Sequence, residues 1–370
     1  MMARTGAVSS VTTRDEINWD DDDHRRCIAA GLVQRTYNME KDRTKGRRLN
    51  RQGSFLRHFS LVETLRECRL KCKCHRDHQQ GACPFCNCKM SPCFIYGAIF
   101  EYVPPQGTRH RHSSSAPPPR YIVAFRGTMP TDTTAIRDFY LDVNVVLNRQ
   151  HDCLRFSHAR ERVWKLLDDA ADSVADIWLA GHSLGASIAL DVGRDMAMGG
   201  CYLRTLLFNP PQVSLAPAAG KLNMAEEAKR DLYFTSYLVK QVLGETVLRR
   251  HKKHAAVLFE QLSPWVPELY VHQRDVICNG FIDYFQLREL AKQRFPRFLA
   301  RSSAPALAYR DSMVHLLCAE LGFRETNELP HLLPSARLWI NSSTEGDSHE
   351  LRQWCQPRLA RLSSNLYTWP

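Results

Sequence analysis

Ile177-Trp178-Leu179-Ala180-Gly181-His182-Ser183-Leu184-Gly185-Ala186-Ser187-Ile188-Ala189-Leu190 is the stretch on which the reading of the whole chain turns. Its first four residues are a short continuous apolar run, the pattern of a strand buried on both faces. Its last five open a helix. Between them lies Gly181-His182-Ser183-Leu184-Gly185, a G-x-S-x-G sequence in the strand-to-helix context that a nucleophile elbow requires. So sharp a turn makes side chains at both flanking positions collide with neighbouring backbone, hence the two glycines. It lifts the serine hydroxyl above the sheet edge, at the amino end of a helix where N–H groups meet negative charge.

A serine is a weak nucleophile at neutral pH and needs a histidine to take its proton and a carboxylate to orient that histidine. When a serine on such an elbow opens the set, the acid and then the histidine follow on loops after later strands. Asp275 lies just past the expected strand Leu269 to His272, and His349 lies past the expected strand Ala336 to Ile340. Both fit that order. His182 adjoins the nucleophile and reads as packed, His272 falls within a strand, and His315 and His331 lie in or beside expected helices. Asp283 sits inside an apolar run, and Asp347 is too close to His349 to be its usual partner. The oxyanion of acyl transfer needs two donors. Leu184 supplies one N–H, and Thr128, in Arg126-Gly127-Thr128-Met129 at the end of the strand Tyr121 to Phe125, is the candidate for the second.

Outward from this centre, further strands are expected at Phe94 to Val103 and Leu203 to Phe208, and helices over residues 24–41 and 157–172. Strands alternating with helices imply a mostly parallel, doubly wound sheet. Asp20 to Asp23 form the acidic approach to the first helix, and the basic, glycine-containing stretch Lys41 to Gly53 ends it. Pro104 to Pro119 reads as a surface loop.

The 370 residues, 44% of them hydrophobic, suffice for one large domain with a substantial core, which excludes a wholly disordered chain. The formal charge of +11 is concentrated before residue 120, in Lys45 to Arg51 and Arg66 to Lys73, which reads as a basic arm. No nucleic-acid motif surrounds it, and nucleic acid is not an expected partner. The N-terminus lacks the apolar run of a secretory signal, and no apolar stretch reaches the roughly 20 residues of a membrane span, so a cytoplasmic protein is expected. Seven of the 13 cysteines, Cys68, Cys72, Cys74, Cys83, Cys86, Cys88 and Cys93, share one window. Cys83-Pro84-Phe85-Cys86 has zinc-ligand spacing, but a clean second pair is missing. A zinc knuckle completed by Cys72, Cys74 or Cys88, free thiols in a disordered insertion and a mis-spliced gene model all remain open. No metal or cofactor is assigned to the chemistry.

Phe125-Arg126-Gly127-Thr128 followed by Gly181-His182-Ser183-Leu184-Gly185-Ala186 resembles the paired signatures of the class 3 lipases. Within them the chain is most similar to plant lipase-like proteins often labelled GDSL esterase/lipase. The segment 24–41, Tyr96-Gly97-Ala98-Ile99-Phe100-Glu101, Phe208-Asn209-Pro210-Pro211 and His349 to Trp354 carry that likeness. The resemblance implies an α/β class chain with the α/β-hydrolase fold, a mostly parallel central sheet with helices on both faces. It implies a triad of Ser183, Asp275 and His349 with an oxyanion hole at Thr128 and Leu184. Asp275 is followed by Val276 and Ile277, where the family often has Val and Pro. Thr131 to Val146 occupies the place of a lid, and an amphipathic lid and an ordinary packing helix stay equally open.

The expected organisation is therefore a disordered N-terminus (1–23), a helical segment packing on the main domain (24–60), a Cys-rich insertion (61–93) and a hydrolase domain (94–370). The expected activity is cofactor-independent hydrolysis of an acyl lipid or other hydrophobic ester, with peripheral membrane contact as an option. A lipase-like scaffold that binds a ligand or protein without turnover is the alternative. A zinc-dependent interaction module fused to a decayed hydrolase is a third reading.

Overall fold

The computed structural model describes residues 17–47, 55–67, 94–104, 116–129, 154–169, 176–212, 257–294 and 333–369. Among the described residues eight strands form one sheet: β1 Phe59–Glu67, β2 Phe94–Tyr102, β3 Tyr121–Phe125, β4 Ile177–His182, β5 Arg204–Phe208, β6 Glu268–His272, β7 Ala336–Asn341 and β8 Leu362–Tyr367. Their spatial order is their chain order. β3 to β7 run parallel, while β1, β2 and β8 are joined antiparallel at the two edges. This is an α/β architecture with a mostly parallel sheet, as the alternating pattern implies.

Parallel strands laid down in sequence and joined by right-handed crossovers put their connecting helices on one face. The described helices α2 (Leu154–Asp169), α3 (Leu184–Met198) and α4 (Gly280–Arg294) share such a face. There Phe156, Val163, Ile188, Val192, Met196, Phe281 and Phe285 pack against Val123, Leu179, Leu207 and Leu269 of the strands. Strand side chains alternate, so the opposite face presents Ile122, Ala124, Trp178, Ala180, Leu206, Phe208 and Tyr270, which also must leave water. The two ends of the chain cover it. Helix α1 (Asp22–Thr44) contributes Ile28, Leu32 and Val33, and the 3-10 turn Leu351–Cys355 contributes Leu351 and Trp354. Buried Arg26 of α1 fastens the two covers, its Nε donating to the Trp354 carbonyl at 3.2 Å and its Nη2 to that of Gln356.

Asp21 caps α1, its carboxylate accepting from the Asp23 N–H at 2.8 Å and more distantly from that of His24. Asp22 and Asp23 lie in the first turn and Lys41 and Arg43 in the last, each sign matching the helix dipole. The helix thus begins two residues before residue 24 and ends three past residue 41. Helix α2 lies three residues N-terminal of the expected 157–172.

Two boundaries are corrected. Residues 17–23, placed in a disordered N-terminus, are ordered here: Trp19 is 1% exposed and packs edge-on to Tyr102 and Trp178. A lone apolar pair outside any periodic pattern hid this. Residues 61–67, given to the Cys-rich insertion, belong to β1, which pairs with β2 through two register irregularities. Those irregularities break the period-2 alternation that sequence reading relies on. The strand β8, with four exposed residues in its middle, was not anticipated for the same lack of an apolar face. The cysteine window 68–93, the segment 131–146, His315 and His331 lie outside the described residues. Among the described residues no helix is long and apolar enough to cross a membrane.

The Trp19 indole is fully enclosed, yet its N–H has no hydrogen-bond partner among the described residues. Trp19→Ala is therefore expected to cost about 3–5 kcal/mol of stability through the cavity it leaves. Trp19→Phe removes an unpaired donor along with volume and should cost about 1 kcal/mol or less. Urea unfolding midpoints of the two variants against wild type check both values.

Candidate active site

The elbow between β4 and α3 is built by backbone crowding. A Cβ on Gly181 would sit 2.3 Å from the Gly185 carbonyl oxygen, and one on Gly185 would sit 2.4 Å from the Phe125 carbonyl oxygen. Neither position has room for any side chain. The turn forces Ser183 to φ 54°, ψ −126°, a conformation an L-residue holds only when its surroundings impose it, at a cost on the order of 1–3 kcal/mol. The Ser183 N–H is held by the Phe208 carbonyl at 3.0 Å, and its own carbonyl accepts from Ala186 and Ser187 in the first turn of α3. That leaves the hydroxyl free to point away from the sheet.

Three side chains separated widely in sequence meet above it. His349 Nε2 lies 3.0 Å from Ser183 Oγ, and His349 Nδ1 lies 2.7 Å from Asp275 Oδ2. The loops after β6 and β7 deliver the acid and the histidine, and adjacency of these strands to β5 and β4 brings the loops together. Ser183 and Asp275 are buried, while the His349 ring is partly open. Burial alone would raise the Asp275 carboxyl. Hydrogen bonds from His349 and Cys278, a third at 2.6 Å from Asn209 Nδ2, and the His349 charge more than offset it and hold the acid below its usual range. Its other oxygen accepts the Ile277 N–H at 3.0 Å.

Asn209 is a site residue that sequence reading missed. It lies at the end of β5 with φ 46°, its amide donating to Asp275 and, at 3.0 Å, to the Ser348 carbonyl. Trp354 Nε1 donates to its Oδ1, which settles the orientation of the amide. The signal available was an Asn able to take a left-handed conformation directly before Pro210-Pro211. Cys278, in turn, donates its S–H to Asp275, and burial in that company pushes its thiol well up.

At the end of β3, Gly127 is pressed against the elbow: a Cβ there would lie 2.9 Å from Ser183 Cβ. Thr128 follows and is exposed, and Leu184 opens α3, its N–H and that of Gly185 preceding the hydrogen bonds that Ala186 and Ser187 make to the Ser183 carbonyl. Arg126 is buried and structural, its Nε donating to the Ile95 carbonyl at 2.6 Å and its Nη1 to the Gly127 carbonyl at 2.6 Å. His272 is buried, its Nδ1 accepting the Arg274 N–H and its Nε2 facing Ser343 Oγ, and Asp283 lies on α4. Among the described residues no group of three or more His, Cys, Asp or Glu side chains has the arrangement to hold a metal ion.

His182 is enclosed between Tyr37 of α1, whose hydroxyl lies 2.9 Å from Nδ1, and the His349 carbonyl, 2.9 Å from Nε2. Burial, reinforced by nearby His349, depresses the His182 imidazole to about 3.

The chain is 30% identical over 349 residues to a GDSL esterase/lipase of Arabidopsis thaliana, an alignment spanning 91% of this chain and 90% of the relative. No family model matches the chain, and no solved structure matches it.

A neutral His182 in the fold and an ordinary one near 6.5 when unfolded mean that the unfolded chain binds the extra proton below pH 6.5. Stability is therefore expected to fall by about 2 kcal/mol between pH 6.5 and pH 5 from this group alone. The Asp275 contribution, from a carboxyl depressed in the fold, is lost only at lower pH, below the ordinary Asp range near 3.9. Denaturant unfolding across pH 4–8, with His182→Gln flattening the upper part of the slope, checks the assignment.

Proposed function

The chain belongs to the plant esterase/lipase family to which that Arabidopsis protein belongs, and from that premise we propose that it is a serine carboxylic ester hydrolase with Ser183 as nucleophile. The observation that carries the reading is the hydrogen-bonded chain from Ser183 Oγ through the His349 ring to Asp275, with the serine on a positive-φ elbow. The relative's label names a Gly-Asp-Ser-Leu motif that this sequence does not contain. Its nucleophile motif is Gly181-His182-Ser183-Leu184-Gly185, which with the sheet order supports an α/β-hydrolase of the class 3 lipase type.

Ser183 Oγ attacks the ester carbonyl as His349 Nε2 removes its proton. Asp275, kept ionised, accepts a hydrogen bond from the Nδ1–H and stabilises the imidazolium that forms. Negative charge developing on the carbonyl oxygen is met by the Leu184 N–H at the start of α3 and by Thr128 on the facing turn. His349 then protonates the departing alcohol, leaving an acyl-serine. A water, deprotonated by the same ring, hydrolyses it. The description of the Arabidopsis relative as an esterase/lipase supports a hydrophobic ester or acyl lipid as substrate.

Hydrolysis of a chain-length series of p-nitrophenyl esters tests this. Wild type is expected to turn over, with Ser183→Ala and His349→Ala each lowering kcat by about 10³-fold or more. A wild type no faster than its Ser183→Ala form on every ester would overturn the hydrolase reading in favour of a binding scaffold.

A further inference from the structure

The hydrolase reading leaves unused the buried polar contact between α1 and the elbow. Tyr37 sits on the helix that covers the second face of the sheet, and its hydroxyl reaches the floor of the site. The Gly127 N–H donates to Tyr37 Oη at 2.7 Å, and the same hydroxyl lies 2.9 Å from His182 Nδ1. On the far side of that ring, Nε2 lies 2.9 Å from the backbone carbonyl of His349.

Proton bookkeeping allows one arrangement. A carbonyl only accepts, so His182 Nε2 carries the hydrogen and Nδ1 is the acceptor of a neutral ring. The Tyr37 O–H then donates to Nδ1, and its oxygen lone pair receives the Gly127 N–H. Every group is used once and in a consistent direction.

Gly127 fits this niche closely, since a Cβ on it would lie 2.7 Å from Tyr37 Oη and 2.9 Å from both the His182 carbonyl oxygen and Ser183 Cβ. A second tie from the same helix holds the neighbourhood: Glu40 accepts the Ile95 N–H at 2.9 Å and faces Arg126, which in turn holds the Gly127 carbonyl.

We propose that Tyr37 and His182 are positioning residues that form a single hydrogen-bonded strut between the Gly127-Thr128 turn and the main chain of His349. This rests on the assignment of Ser183, His349 and Thr128 above. The strut sets, from beneath, the separation between the turn that faces the oxyanion and the loop that carries the base. Neither residue touches substrate. Helix α1 is on this view a working part of the site as well as a cover for the sheet, and its Tyr37 links the oxyanion side to the base side across the nucleophile.

The test is steady-state hydrolysis of p-nitrophenyl butyrate by the full chain. Tyr37→Phe is expected to lower kcat about 10–100-fold with KM within about twofold, because reacting groups are displaced while the pocket surface is kept. Thr36→Val, which removes a neighbouring buried hydroxyl bonded within α1 to Leu32, serves as the stability control and should keep wild-type kcat. His182→Gln can still donate to the His349 carbonyl, whereas His182→Asn is too short, so the Gln form should retain several-fold more activity. In the wild type, spectra of ¹⁵N-labelled histidine should place the His182 proton on Nε2. A Tyr37→Phe enzyme with wild-type kcat, an Asn form as active as the Gln form, or a proton on Nδ1 would each overturn the strut. A wild type inert on every ester would instead sink the hydrolase assignment on which it rests.

Discussion

Two glycine contacts set the geometry on which the site depends: Gly181 against the Gly185 carbonyl and Gly185 against the Phe125 carbonyl. With no volume for a Cβ at either place, α3 leaves β4 at one angle and packs directly on the end of β3. Ser183, caught between them, has no alternative to a positive φ, and that conformation aims its hydroxyl out of the sheet. The strain is held because the flanking segments are buried β-strand and buried helix, which over-determine the turn. The same crowding brings Gly127 under the serine, so Ser183 and the facing turn are located by one set of backbone contacts.

The sheet order explains why the chain ends matter. Strands added in sequence with crossovers of one hand leave a whole apolar face without a connecting helix among the described residues. Helix α1 and the turn Leu351–Cys355 close it, and Arg26 joins them across a sequence separation of 328 residues. Because the cover is made of distant segments, its apolar side chains are buried only by packing on the sheet. The fold therefore couples completion of the core to assembly of the site: Trp354 in that cover orients Asn209, and Tyr37 in the other half of it contacts His182.

The buried Asp275 carboxylate has donors on both oxygens. His349, Asn209 and Cys278 converge on one oxygen and the Ile277 N–H meets the other. A buried carboxylate so surrounded stays charged at neutral pH despite desolvation. Its ring partner is consequently held from one side by the acid and on its backbone by His182, leaving Nε2 directed at the serine.

Local pattern by itself determined the strands from Tyr121–Phe125 to Ala336–Asn341, helix α1, the glycine-flanked elbow with Ser183, and the places of Asp275 and His349 past later strands, because apolar runs, glycines that admit no side chain and chain order are written in consecutive residues. It also determined that His182 adjoins Ser183, but not what the ring does there. Strand β1, with its register irregularities, and strand β8, exposed along its middle, carry no clean periodicity and became visible only as partners of β2 and β7. Asn209, Trp354 and Tyr37 were legible only as residue types. Their roles are hydrogen bonds between segments up to 145 residues apart, and the direction of a buried hydrogen bond is decided by which donors and acceptors the fold brings within reach.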